Sequence, residues 1–164
     1  MSEINEQYCE CCSQKIGYAS KISRGHVVTL RAMAQKIKEK MNNVINMKVE
    51  LLEEGRIDVT QYGNRTHMEK LGLIIHVDTG NFRITRRGWD LLNGLQVPAG
   101  VIVAKATKTQ GSRTVGVTEE MVTISKFQKP GEYWEVPGVE IRHGQVYASD
   151  PTQTPRGDAE RSIL

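Results

Sequence analysis

Residues 68–94 read MEKLGLIIHVDTGNFRITRRGWDLLNG, and the order of signals in this stretch decides the fold. Leu71-Gly72-Leu73 stops a helical segment at a glycine, the residue that enters the left-handed conformation after a helix at least steric cost. Leu73 to Val77 (LIIHV) is apolar with β-branched residues and reads as a strand. Asp78-Thr79-Gly80-Asn81 has the composition of a turn. Phe82-Arg83-Ile84 alternates and reads as the returning strand. Thr85 then has the chemistry of an N-cap, because its hydroxyl can accept from a free amide of the next helix. In that helix Trp89, Leu91, Leu92 and Leu95 supply apolar contacts.

Upstream, Ser23 reads as another N-cap. Val27, Leu30, Ala34, Ile37 and Met41 follow at helical spacing, with Arg31, Lys36, Lys38 and Lys40 largely between them. This predicts an amphipathic helix of about 18 residues that ends near Asn42-Asn43. The apolar residues of 44–58 fit neither the helical nor the strand period, so a short helix and an extended connection both stay open; Gly55 breaks the run. Thr60 is the expected cap of a single helix from Gln61 to Leu71.

Downstream, Pro98-Ala99-Gly100 is a natural boundary. Beyond it come short β-type runs, Val101-Ile102-Val103, Thr114-Val115-Gly116-Val117, Met121-Val122-Thr123-Ile124 and Gly144-Gln145-Val146-Tyr147. The expected organisation is therefore α+β: a flexible cysteine-bearing segment over 1–22, a helical domain with a hairpin over 23–96, a small β-rich unit over 97–149, and a disordered polar tail over 150–164.

The stretch FRITRRGWDLLNG resembles the junction between wing and last helix in winged helix-turn-helix transcription factors such as the MarR and PadR groups. In those families an aromatic or Leu, then Leu/Ile-Thr-x-x-Gly, ends the second wing strand and opens the next helix. Phe82, Ile84, Thr85 and Gly88 occupy those places here. MEKLGLIIHVD resembles the end of a recognition helix feeding the first wing strand. The resemblance covers about 70 residues and implies duplex DNA binding without catalysis. The whole chain is also similar to uncharacterised phage and prophage proteins that carry a Cys-x-x-Cys before such a domain.

Charge distribution agrees with that expectation. The net charge of the chain is +3, but residues 20–94 hold 13 Lys/Arg against 8 Asp/Glu, while the remainder after 94 holds 8 of each. A local basic excess is the electrostatic footprint of a nucleic-acid binder, although many ordinary helices are mildly basic. On the 61–71 helix, Gln61, Met68 and Leu71 share the expected core face. Gly63, Thr66, His67 and Lys70 point the opposite way, with Asn64 and Arg65 at the margins. Asn64 and Arg65 could then read base edges in the major groove, and Lys70 could meet a phosphate. Arg83, Arg86 and Arg87 place three guanidinium groups within five residues of the wing, where phosphates are the expected partner.

Cys9 and Cys12 form one Cys-x-x-Cys pair, with Cys11 between them. Two thiolates at this spacing can share a tetrahedral zinc, but a closed site takes four ligands. Two chains donating a pair each would complete it, making a homodimer; free thiols in a loose tail are the plainer reading. No cofactor is otherwise expected.

Nucleotide-binding, hydrolase and zinc-protease motifs are absent, and His26, His67, His76 and His143 are scattered, so no enzyme is indicated. No apolar run is long enough to span a bilayer. The start MSEINEQYCECC lacks the pattern of a secretory signal, so the expected location is the cytoplasm, of the host if phage encoded. The competing expectation is a protein-docking module that binds host machinery. Exposed apolar surface rather than a continuous basic face would mark it.

Overall fold

The computed structural model describes residues 16–109 and 111–148. Helix α1, Arg24–Lys40, starts after an extended Ser23, as the spacing predicts. The backbone N–H of Ser23 donates to His26 Nδ1 at 3.0 Å. Val27, Leu30, Met33, Ala34 and Ile37 form the buried stripe, and Met41 closes the helix with a left-handed φ of 54°. The ambiguous stretch 44–58 holds both alternatives in succession. Strand β2, Ile45–Asn46, is followed by a π-helical turn, Met47–Leu52, whose cap Asn46 accepts from the Val49 N–H at 3.0 Å. Two residues of strand and six of π-helix are too short for either period to emerge.

The single helix expected over 61–71 is two: α2, Val59–Gly63, and α3, Arg65–Lys70, hinged at Asn64. Gly63 and Asn64 are both weak helix formers, which places the break. The cap is Asp58 rather than Thr60. The Gln61 N–H donates to Asp58 Oδ1 at 2.7 Å and the Asp58 N–H donates to Gln61 Oε1 at 2.9 Å. This reciprocal pair satisfies two otherwise free donors, and a Thr60 start would forfeit it.

After Gly72, which has φ +79°, come strands β3, Ile74–Asp78, and β4, Asn81–Ile84. They form a hairpin with Ile75 opposite Arg83 and Asp78 opposite Asn81. Strand β2 pairs with the other side of β4, giving the order β2-β4-β3 with β3 at an edge. Helix α4, Arg86–Leu92, is capped as predicted: the Gly88 N–H donates to Thr85 Oγ1 at 3.2 Å. The same hydroxyl donates to the Gly72 carbonyl, joining the end of α3 to the start of α4.

The segment expected to be flexible before residue 23 contains strand β1, Ile16–Lys21. It lies antiparallel to β6, Gly100–Ala104, which pairs in turn with β7, Arg113–Val117, in the order β1-β6-β7. The approach is so close that a Cβ on Gly100 would sit 2.1 Å from the Ser20 carbonyl oxygen. Ser20 is buried on β1, and Tyr18 is 46% exposed, so the strand lacks the alternation that would betray it. Strand β5, Val97–Pro98, pairs with β8, Met121–Val122; a 3-10 turn, Ile124–Phe127, follows, and β9, Val139–Arg142, forms a hairpin with β10, Gln145–Ala148.

The fold is thus mixed α and β with small antiparallel sheets. The buried side chains form one cluster running from Ile22 to Val146. Arg24 ties the later segment to α1: it donates to both oxygens of Glu132, at 2.6 and 3.0 Å, and to the Phe127 carbonyl at 2.8 Å. Among the described residues no helix is long and apolar enough to cross a membrane. The residues expected to form the tail, 150–164, lie outside those described.

Candidate nucleic-acid interface

Helix α3 carries half of the residues expected to meet DNA, Arg65, Thr66, His67 and Lys70, and Asn64 caps it. Thr66 is exposed, while Asn64 and Lys70 are half-buried. Arg65 is held locally: its guanidinium lies 4.0 Å from the centre of the Tyr62 ring and donates to the Tyr62 carbonyl at 2.8 Å. Stacking of this kind orders the side chain.

His67 does not face outward with them. Its Nε2 makes a short hydrogen bond with the Ser20 hydroxyl, and its ring stands edge-on to His26 with centroids 4.8 Å apart. Its partners come from β1 and α1, which the angles along one helix do not report. Burial pushes the His67 imidazole pKa down, and the nearby Lys70 charge adds to this. His26 is lowered further, to about 4, by burial and then by His67. Both rings are therefore neutral at pH 7. The bond from the Ser23 N–H to His26 Nδ1 fixes the proton of that ring on Nε2.

The arginines of the hairpin also divide. Arg87 leaves the wing surface and donates to the Leu71 carbonyl at 2.8 Å, with its guanidinium over Gly72. A cation there meets free carbonyls at the negative end of α3, a local role that competes with phosphate binding. Arg86 is exposed and only loosely paired with Asp90, at 4.0 Å. Arg83 is half-buried on the central strand β4. The hairpin tip is two residues long, Thr79-Gly80, so its reach is small. His76, on the exposed strand β3, packs against Phe82 with centroids 5.1 Å apart.

The end of α3 and the start of α4 are joined by three hydrogen bonds. The Thr85 N–H donates to the Leu73 carbonyl at 3.0 Å, beside the bonds from Arg87 to Leu71 and from Thr85 to Gly72. Lys70 immediately precedes Leu71, and Arg86 immediately follows Thr85. No local signal in the sequence ties Ser20, 47 residues away, or His26 to His67, because such contacts depend on how β1 and α1 dock against α3. Cys9 and Cys12 lie outside the described residues. Among the described residues no group of three His, Cys, Asp or Glu side chains is placed to hold a metal ion. The chain matches no protein-family model, no curated protein and no solved structure.

Proposed function

We propose that the chain is a non-enzymatic duplex-DNA-binding protein of the winged helix type. The observation that carries this reading is the sheet order β2-β4-β3, with β2 between α1 and the α2–α3 pair and the hairpin after it. That order supports a helix-turn-helix with a wing, in which α3 enters the major groove. Thr66, Lys70, Asn64 and Arg65 form the groove-facing set, and Arg83 and Arg86 meet the backbone. His67 and Arg87 support the surface from beneath. The test is fluorescence anisotropy of the full chain on random duplex DNA as a function of salt. Affinity should fall linearly with log salt, and Lys70→Gln or Arg86→Gln should each reduce the slope by about 1. Undetectable binding at about 50 mM salt overturns the reading.

One observation favours protein docking as a second reading. Ile75 and Val77 are 40% and 47% exposed on β3, whose outer edge has no strand partner among the described residues. An exposed apolar edge invites an added strand from another chain. Under this reading Ile75→Lys abolishes capture of a host protein while the two basic substitutions leave it intact.

A further inference from the structure

Helix α1 carries five basic side chains, and they divide by what they touch. Arg24 is paired with Glu132, Lys36 with Glu54, and Lys40 with Glu50. Arg31 and Lys38 have no ion pair among the described residues, and these two line the same cavity. They sit seven residues apart, two helical turns, with Gln35 between them on the same face. Glu135, Val136 and Pro137 line the cavity's other side, and Lys38 and Gln35 stay exposed at its mouth. The cavity measures about 110 Å³ and is walled mainly by polar atoms.

Both cations are held in place. The Arg31 guanidinium stacks on the Trp134 ring, 5.0 Å from its centre, with Arg24 also stacked on that ring at 4.9 Å. A Cβ on Gly138 would lie 3.2 Å from Lys38 Nζ, so the ammonium rests against the loop backbone. Burial lowers the Arg31 pKa, partly offset by Glu132 and then Glu135, so its charge is desolvated without a full counterion. Glu132 is committed to Arg24, and Glu135 is exposed at the rim. A planar fork, a point charge and an amide donor around a small polar space are the recognition elements of an oxyanion.

We propose that this cavity is a binding site for a small phosphate-type oxyanion. Arg31 donates through two N–H groups and Lys38 neutralises a second oxygen; Gln35, whose amide nitrogen already donates to Glu39 Oε2 at 3.2 Å, offers its second N–H. The space admits the oxyanion itself, so an organic substituent on a monoester would project past Glu135 to solvent.

The test is heteronuclear NMR of the labelled full chain, titrated with inorganic phosphate, with a nucleoside monophosphate, and with sodium chloride at matched ionic strength. Phosphate should give saturable shifts at residues 31–38 and 135–138 and at the Trp134 indole N–H, and chloride should not. Lys38→Gln, a change at an exposed position, should weaken binding about tenfold. Glu135→Gln should strengthen it by removing a competing carboxylate. Tighter binding of the monophosphate identifies an ester as the ligand class; equal binding identifies free phosphate. Shifts that do not saturate, that chloride reproduces, or that Lys38→Gln leaves unchanged would overturn the proposal.

Discussion

At Gly72 the chain leaves α3 and enters β3 with φ +79°, and the Arg87 guanidinium lies where a side chain would go: a Cβ there would be 2.6 Å from Arg87 Nη1. Gly72→Ala should therefore destabilise the protein by about 1–2 kcal/mol from backbone strain, and Gly72→Val by more, because β-branching resists that conformation. Gly88 is glycine for a different reason. Its backbone is ordinary helix, but a Cβ would lie 2.4 Å from the Leu73 carbonyl oxygen and 2.6 Å from Ile84 Cγ2. Neither neighbour is a flexible side-chain end, so Gly88→Ala should be at least as damaging as Gly72→Ala, even though alanine is the better helix former. Urea melts of the two alanine variants beside the parent chain would measure both. A stabilised Gly88→Ala would mean that α4 can shift away from Leu73.

Among the elements, those with strong local chemistry were legible: α1 by its stripe, the β3–β4 hairpin by its turn, α4 by Thr85. What escaped was set by competition between near-equal local signals or by distant packing. Asp58 displaced Thr60 as a cap because its carboxylate pairs reciprocally with Gln61. Asp58→Ala should cost about 1 kcal/mol, whereas Thr60→Ala should be near neutral; thermal melts decide between them. His67 was misplaced because its surroundings come from β1 and α1. That junction makes stability depend on pH. His26 faces His67 on α3 and Ser23 at its own helix start; His67 in turn bonds Ser20 on β1, and Lys70 adds positive charge near His67. Its folded pKa, about 4, lies below the unfolded value of about 6.5, so the unfolded state binds the proton first. Stability is complete above pH 6.5 and falls as the pH drops through the interval towards 4, by roughly 2–3 kcal/mol. Chemical melts at pH 7 and pH 4.5 should differ, and His26→Gln should flatten the difference. An unchanged pH dependence in that variant would place the titrating group elsewhere.

For the molecule as a whole, the expected division after residue 96 met a different packing. The β-rich part contributes Val101, Val103, Phe127, Trp134 and Ile141 to the one buried cluster that also holds Leu30 and Ile37. Strand β1, ahead of α1, pairs with the distant β6, and the Ile22 N–H donates to the Ala99 carbonyl at 2.8 Å. Sequence composition marked a boundary at Pro98-Ala99-Gly100 by a change of texture, but texture does not report which faces are covered. Gly100 reads as a linker residue by type and is instead the point of closest approach between two strands. Removing residues 97–164 should therefore do more than trim an appendage. It strips the partner from β1, uncovers the α1 face that packs against the 3-10 turn and β10, and leaves Arg24 without Glu132. Each large apolar side chain lost from the cluster is worth about 1.5–3 kcal/mol, and a domain has only about 5–15 kcal/mol in hand. A chain ending at Gln96 should show no cooperative thermal transition by circular dichroism. Restoring residues through Ala148 should return one transition that reports on Trp89 and Trp134 together. If the shorter chain instead melts cooperatively within about 5 °C of the full one, residues 23–96 fold independently, and the shared core contributes little to their stability.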